Sequence, residues 1–489
     1  MRPHKHTESG QTDMFQARLD QFLNLDHELV KLARLIDWRF IEERCGAAYS
    51  DTPGHPPLPT RLMAGLAILK HTYNLSDEAL CARWIENPYF QFFCGAEFFA
   101  HKLPFDRSSI TRWRQRMGED RLNALVQESL AVAVKTKALR ITDLAHVIVD
   151  TTVQEKAAMF PTDARLLDRA RVRLVKLAKK NGVVLRQSYV RVGKLALMKH
   201  QRYAHAKHFK RAKAKLRSLR TYLGRTMRDI ERSLKTRPDL DTLFRRELFN
   251  AARVLEHKRG RRKPSDPAPK FAPIYSLHAP EVECIGKGKA HKPYEFGVKV
   301  SVATTLHRAP GGMFVLNAKA LPGRPYDGHT LAPVIPAIET ITGVEIKRII
   351  ADAGYRGGNA PVPYNLRVFT SGQKRRMTDA IKREMRRRAA VEPVIGHMKS
   401  DHRMGRNFLA HATGDAINAV LAAVGNNFRR LLNWLKLWLA FLLYTLRAQQ
   451  NYAPASKLRS SRATNLARIR SVARRRAVRP QEPDAKKNI

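Results

Sequence analysis

The runs that read as strands are separated by a block that cannot itself be sheet. AHVIVD, ending at Asp150, and EFGVKVSVATT at 295–305 are short, apolar and β-branched, as buried strands are. Between them, from about 165 to 265, the chain is dense in Lys and Arg, as in RARVRLVKLAKKNG and HFKRAKAKLRSLRTYLGRTMRDIERSLK. Phe209, Leu216, Leu219 and Leu223 recur there at helical spacing. The block therefore reads as a helical insertion, a hairpin of two helices, ended by the breaker HKRGRRKPSDPAPKFAP at 257–273. Two readings of it stay open: a solvated coiled-coil-like spacer, or a surface for a polyanion.

Past the insertion, EFGVKVSVATT and GGMFVLNAKAL (311–321) flank the turn-like HRAPGG and predict a hairpin. GHTLAPVIPAIETITG predicts a helix, EIKRIIAD (345–352) a buried strand with Asp352 at its end, and LRVFTSG (366–372) another strand. A long basic helix is expected over 376–400. With the insertion removed, this order gives a mixed sheet with flanking helices, an α/β class. Residues 14–135 read as all-helical, with Ser76 as an N-cap and the aromatic run 89–99 as core. In PFDRSSITRWRQRMG, Asp106 or Ser108 caps a helix whose Ile110, Trp113 and Met117 share one face. Arg112, Arg114 and Arg116 are expected to project away from that face. The segment is either a helix-turn-helix reader of the major groove or an ordinary amphipathic helix with a solvated basic face.

The charge balance narrows the partners. There are 90 Lys+Arg against 43 Asp+Glu, a formal net charge of +47 and a pI near 10.7. Such an excess points to nucleic acid, with a membrane surface the weaker alternative. The most apolar stretch, LLNWLKLWLAFLLYTL at 431–446, is shorter than the roughly 20 residues of a bilayer span and contains Lys436. A packed or dimer-forming helix is expected, with Trp434 and Trp438 as core or interface. Cys45, Cys81, Cys94 and Cys284 form no CxxC pair, which suits reduced thiols in a cytoplasmic protein. The polar opening MRPHKHTESGQTD is no secretory signal, and 447–489 reads as a basic disordered tail.

Against this background three carboxylates stand out: Asp150, Asp352 in ADAGYRGG, and Glu392 in RRRAAVEPVIGHMKS. Acidic residues on different elements can hold two divalent ions about 3.5–4 Å apart, the arrangement that activates water and stabilises a leaving oxygen at a phosphodiester. Magnesium keeps several waters, so three carboxylates suffice. Arg388 and Lys399 lie four residues before and seven after Glu392, on one helical face, where they would hold phosphate. Pro393 implies either a bend or a new helix starting beside Glu392. Tyr355 and Arg356 would stack on or pair with a DNA end, or else pack a turn and face solvent. Asp327 and His329 in PYDGHTL would support the site or make a turn, with a capping role expected for His329.

These segments resemble the bacterial insertion-sequence DDE transposases of the IS-five family. VDTTVQEKAAMFPTDARLL, ADAGYRG, HKPYEFGVKVSVAT and PGRPYDGHTL carry the likeness, which covers roughly 14–430. The family's third segment is Tyr, two residues, Arg, three residues, Glu, six residues, Lys. Arg388, Glu392 and Lys399 fit it, and Met385 stands where the family has Tyr. The resemblance implies an RNase H-like catalytic domain over 140–430, interrupted by the basic insertion at 160–275. It also implies an N-terminal DNA-binding domain over 14–135, with Arg112, Trp113, Arg114 and Arg116 as DNA contacts. It further implies catalysis by Asp150, Asp352 and Glu392 with two Mg2+ or Mn2+ ions. The expected activity is binding of terminal inverted repeats, strand cleavage and strand transfer on double-stranded DNA. A homodimer or higher paired-end assembly would do this at the bacterial nucleoid, without a membrane. The alternative is a non-catalytic DNA-binding protein derived from a decayed transposase; a nuclease that cuts without joining is a second rival.

Overall fold

Polar side chains mark where the first helices begin. Ser76 Oγ accepts the Ala79 N–H at 3.1 Å, Asn87 Oδ1 accepts that of Tyr89 at 2.9 Å, and Asp106 Oδ1 accepts that of Ser108 at 2.8 Å. The computed structural model describes residues 17–49, 57–256, 271–286, 292–364 and 367–450, except the side chains of 438–450. Its chain enters through α1 (Leu19–Phe22), α2 (Glu28–Leu35), α3 (Trp38–Gly46), α4 (Thr60–Thr72), α5 (Asp77–Glu86) and α6 (Pro88–Phe93). The long α7 (Ser108–Lys135) and the short α8 (Ile141–Leu144) follow. Helix α4, TRLMAGLAILKHT, is buried on nearly every side. Helix α7 is kinked at Gly118, whose φ of 67° a side chain would strain.

β1 (His146–Glu155) opens the sheet, and the insertion leaves directly from it. Among its described residues the insertion holds four helices, not the expected two: α9 (Asp163–Lys180), α10 (Val190–His205), α11 (Phe209–Thr236) and α12 (Asp241–Glu256). Leu219 and Leu223 of the anticipated stripe are buried, but Phe209 at the start of α11 is 69% exposed. The sheet resumes with β2 (Glu283–Gly286), a strand not anticipated from sequence, then β3 (Tyr294–Thr305) and β4 (Val315–Leu321). α13 (Leu331–Thr342), β5 (Arg348–Ala351) and β6 (Val368–Thr370) complete the α/β portion.

The strand order is β2-β3-β1-β5-β6, with β4 also paired to β3. β1 runs antiparallel to β3 and parallel to β5, so the sheet is mixed and the fold is α/β. β1 does not stop at Asp150 as expected. It continues to Glu155, because β3 is long enough to pair with it as far as Gly297.

The expected continuous helix over 376–400 is broken. α14 (Asp379–Met385) ends, a 3-10 turn occupies Arg388–Ala390, and α15 (Val391–Asp401) starts afresh. Pro393 falls in the first turn of α15, where a missing N–H costs no helical bond. α16 (His411–Gln450) takes in the apolar 431–446 segment, which is thus no separate helix. The main compact unit ends at Leu435, within α16; of the tail expected at 447–489, residues 447–450 continue α16 as helix and the rest lies outside the described residues, as does the Trp438 side chain. Among the described residues no helix is long and apolar enough to cross a membrane. All four cysteines are free thiols.

Two separate cores hold these elements. The larger is continuous from Leu66 and Phe93 in the N-terminal helices through Val149 and Ile350 in the sheet to Val424 in α16. The helical block and the sheet therefore share one interior. The insertion has its own core, built around Leu167, Leu174, Leu219, Leu223 and Phe244. Each such side chain contributes about 1.5–3 kcal/mol on burial, so four helices can bury what two could not.

Candidate active site

The parallel register of β1 and β5 places two of the acids. Val149 lies beside Ala351, the last residue of β5, so Asp150 on β1 and Asp352 just past the end of β5 are the next residues along the paired chains. Val147, Ile148 and Val149 are fully buried, as in a strand covered on both faces. Asp150, half-buried, is where that apolar run gives way. Its Oδ1 accepts the Thr151 N–H at 2.7 Å. Burial raises its proton affinity above the usual carboxylate range; the Thr151 N–H and the Arg388 charge oppose this, and negative Asp352 and Asp327 add to it.

Asp352 directly follows β5 and leads into a 3-10 turn, Ala353–Tyr355. Its side chain is 49% exposed, and Arg388 Nη1 lies 3.6 Å from its Oδ1. Arg388 Nη2 lies 3.5 Å from Glu392 Oε1, whose side chain is 61% exposed. One guanidinium thus spans the second and third predicted acids across the break before α15. Both contacts are longer than the roughly 2.7–2.9 Å of a tight charge-assisted hydrogen bond. Lys399 is half-buried two turns further along α15. Met385, at the family's Tyr position, packs partly buried against the core.

Asp327 belongs to this neighbourhood more firmly than the sequence indicated. Its Oδ1 accepts from Thr151 Oγ1 at 2.8 Å and from Lys299 Nζ at 2.8 Å. Lys299 also donates to the Pro325 carbonyl at 2.8 Å. Nothing in the sequence reading singled out Lys299; the available signal was a lysine interrupting an otherwise apolar strand, GVKVSV. A Cβ on Gly354 would stand 3.2 Å from Asp327 Oδ2, and one on Gly358 3.2 Å from the Gly328 carbonyl. The glycines of DAGYRGG therefore let the turn after β5 approach the PYDGHT turn closely. His329 lies in that second turn, exposed, its ring edge-on to Tyr326.

Several expected DNA contacts face inward instead. Tyr355 is 2% exposed and close enough to Asp150 and Asp327 to feel their charge. Burial, reinforced by the Asp150 and Asp327 charges, pushes its phenol well above the ordinary range. Arg356 beside it is exposed and donates to the Ser371 carbonyl at 3.1 Å. On α7, Trp113 is 5% exposed and Arg114 only 3%. Arg114 does not project away from the apolar face: its two Nη atoms each lie 2.8 Å from an Asp77 oxygen on α5. Neighbouring helices cover α7 on more than its apolar stripe, which a stripe alone cannot reveal. Arg112 and Arg116 remain exposed; Arg112 donates to Ser108 Oγ at 2.6 Å, and Arg116 lies 4.9 Å from the Tyr49 ring centre.

The donor set around β1 and β5 is all carboxylate oxygen, the ligand type that magnesium and manganese take. Among the described residues, however, no group of three His, Cys, Asp or Glu side chains stands close enough to hold an ion together. Asp150 and Asp352 are brought to adjacent strands, and Glu392 is turned to Arg388.

Comparison with known proteins adds two findings. A transposase domain family (DUF772) matches residues 17–116, which span α1 to α6 and the start of α7. An uncharacterized protein of Rhizobium meliloti, ORF8 in the nfe locus, is 48% identical over 209 residues, 43% of this chain and the whole of that protein. No solved structure matches the chain.

Proposed function

The chain belongs to the transposase-like insertion-sequence proteins that carry this domain, and from that premise we propose that it is a DDE-type transposase with an RNase H-like catalytic domain. The observation that carries the reading is the pairing of β1 with β5. It sets Asp150 and Asp352 side by side, with Arg388 reaching from Asp352 to Glu392.

In this reading Asp150, Asp352 and Glu392 would hold two Mg2+ or Mn2+ ions, which supply the polarisation of the phosphodiester and of the attacking oxygen. Glu392 would join the two aspartates by leaving Arg388, and the freed guanidinium would take a DNA phosphate. Lys399, on the same helix, would hold another. Asp327, fixed by Lys299 and Thr151, would keep the β1 end of the site in place. Hydrolysis at the element's end frees a 3′-hydroxyl, and that hydroxyl attacks a target phosphodiester in-line. One bond forms for each that breaks, so no nucleotide cofactor is needed. Exposed Arg112 and Arg116, with the basic insertion, would grip the terminal inverted repeats, and pairing of two ends would call for a dimer or larger assembly.

The test is a strand-transfer assay with a pre-cut end carrying the repeats that flank the coding region. Cutting and joining in Mg2+ or Mn2+, lost on Asp352→Asn, is the expected result. Binding without cutting in Mn2+ would establish instead a non-catalytic DNA-binding descendant, and cutting without joining a nuclease.

A further inference from the structure

We propose that Phe408, with Arg403 and Arg406 beside it, is a stacking site for an unpaired DNA base. The proposal rests on the reading of the chain as a DNA-acting protein and adds a recognition site to it. Phe408 is 63% exposed, on the loop between α15 and α16. The guanidinium carbons of Arg403 and Arg406 lie 5.9 and 5.4 Å from its ring centre. An exposed phenyl ring is common on a surface; this one has two guanidiniums within about 6 Å of its centre, sits on a fastened loop and still leaves most of its area open.

The loop is fastened on both sides of the ring. The Asn407 N–H donates to the Glu155 carbonyl at 2.8 Å, and the Asn407 carbonyl accepts from Ala157 N–H at 2.7 Å. Asn407 Nδ2 donates to Asp415 Oδ1 at 2.6 Å, and Asn407 Oδ1 accepts the Leu409 N–H at 2.9 Å. Arg403 donates to the Asn74 carbonyl at 3.2 Å, and its φ of 67° is one an arginine adopts only under constraint. The N–H groups of Met404 and Gly405 each bond the end of α15 at 3.0 Å, so the loop is tied to the helix that bears Glu392.

Beside the ring lies a cleft of about 440 Å³, within the range of ligand sites. Lys70 and Arg114 also line it, but Asp77 already holds both. The Glu78 carboxylate lines it as well and acts on Arg403, so the cations nearest the ring, Arg403 and Arg406, meet an incoming group with one further acid beside them. A flat apolar face flanked by cations suits a ligand with a π-face and a phosphate on either side. In duplex DNA each base face is covered by its neighbours, so the ring can receive a base only where the stack is broken.

The test measures binding to a 30-base-pair duplex with one unpaired 2-aminopurine, against the same duplex fully paired, in metal-free buffer. The expected result is about ten-fold tighter binding of the unpaired form, with quenched 2-aminopurine fluorescence. Phe408→Ala should abolish both the preference and the quenching while leaving fully paired duplex binding unchanged, and Phe408→Trp should restore them. Equal binding of the two duplexes by the native chain would overturn the proposal, as would an equal loss on both duplexes in Phe408→Ala. A change of oligomeric state in Phe408→Ala with no base preference would assign the ring to a second copy of the chain and overturn it as well. Strand transfer without base preference would sink this site and leave the proposed activity standing; base preference without cutting would do the reverse.

Discussion

Asp77 and Asp352 each face an arginine, and the two clusters are built for different ends. Around Asp77, Arg114 makes two 2.8 Å hydrogen bonds and Lys70 a third contact at 2.7 Å, and the Arg114 side chain is 3% exposed. Burial opposes ionisation of Asp77, yet Arg114 and Lys70 outweigh it and hold its carboxyl far below the usual range. Around Asp352, one arginine divides itself between two exposed carboxylates at 3.5 and 3.6 Å, while Asp150 nearby is pushed the other way. The first cluster has two cations on one acid; the second has one cation among Asp150, Asp352 and Glu392. A cluster whose charges are satisfied joins elements, here α4, α5 and α7. A cluster left short of positive charge is the kind that the proposed metal ions would complete.

The contrast can be broken most sharply at Asp77. Asp77→Ala leaves Arg114 and Lys70 buried without their carboxylate, and a loss of about 3–5 kcal/mol is expected in urea unfolding. A loss below about 1 kcal/mol would show that the cluster holds nothing together. Because its folded pKa is depressed, the Asp77 contribution is present above the ordinary carboxylate range and is lost as pH falls below it.

Asp352→Asn should do the reverse: stability within about 0.5 kcal/mol of the native chain, with DNA strand cleavage down on the order of 10²–10³-fold or more. A large stability loss with cleavage retained would place Asp352 with Asp77 among the structural acids.

Glu128 tests the case of a buried acid whose hydrogen bond comes from a backbone N–H. It is 5% exposed, accepts the Asp37 N–H at 2.7 Å, and burial pushes its carboxyl up to about 7. The folded chain holds this proton between the ordinary glutamate pKa of 4.5 and about 7, so stability falls as pH rises through that window, by about 3 kcal/mol. Glu128→Gln should flatten this slope and be the more stable form at pH above the window, in thermal unfolding followed by circular dichroism.

Asp150 should show a smaller effect of the same sign. In metal-free buffer Asp150→Asn is expected to be the more stable form in thermal unfolding, by removing a carboxylate that burial and its neighbours disfavour. Mg2+ should raise the melting temperature of the native chain and not that of the variant. Equal shifts in both would remove Asp150 from the proposed metal site.

The smallest effect separates the arginines of α7. Arg112→Ala should leave stability unchanged and reduce the salt dependence of DNA binding by about one phosphate contact. Arg114→Ala should cost stability first.

How much of this was legible from the residues varies by element. Ser76 and Asp106 bond the N–H groups at the helix starts where the sequence set them, because capping is a contact over two or three residues. The hairpin at 295–321 was readable for the same reason: β-branched alternation and a turn are local. The length of β1 was not, since residues 151–155 are strand only because β3 reaches them. The helix count of the insertion was missed because α9 and α12 look solvated until α11 covers them. At the site, ADAGYRGG and its glycines were visible, whereas Lys299 and the buried pose of Tyr355 emerge only once β3 and the turn after β5 meet.

The sequence by itself determined the inventory: a strongly cationic chain, apolar runs of strand length on either side of a basic helical block, and carboxylates at the edges of those runs. These follow from composition and short-range periodicity, which act before the chain folds. Only the tertiary structure decided which arginine is swallowed and which is presented, and which acids become neighbours. Those outcomes depend on what packs against each face, through contacts between residues tens to hundreds of positions apart, and local patterning carries no record of that.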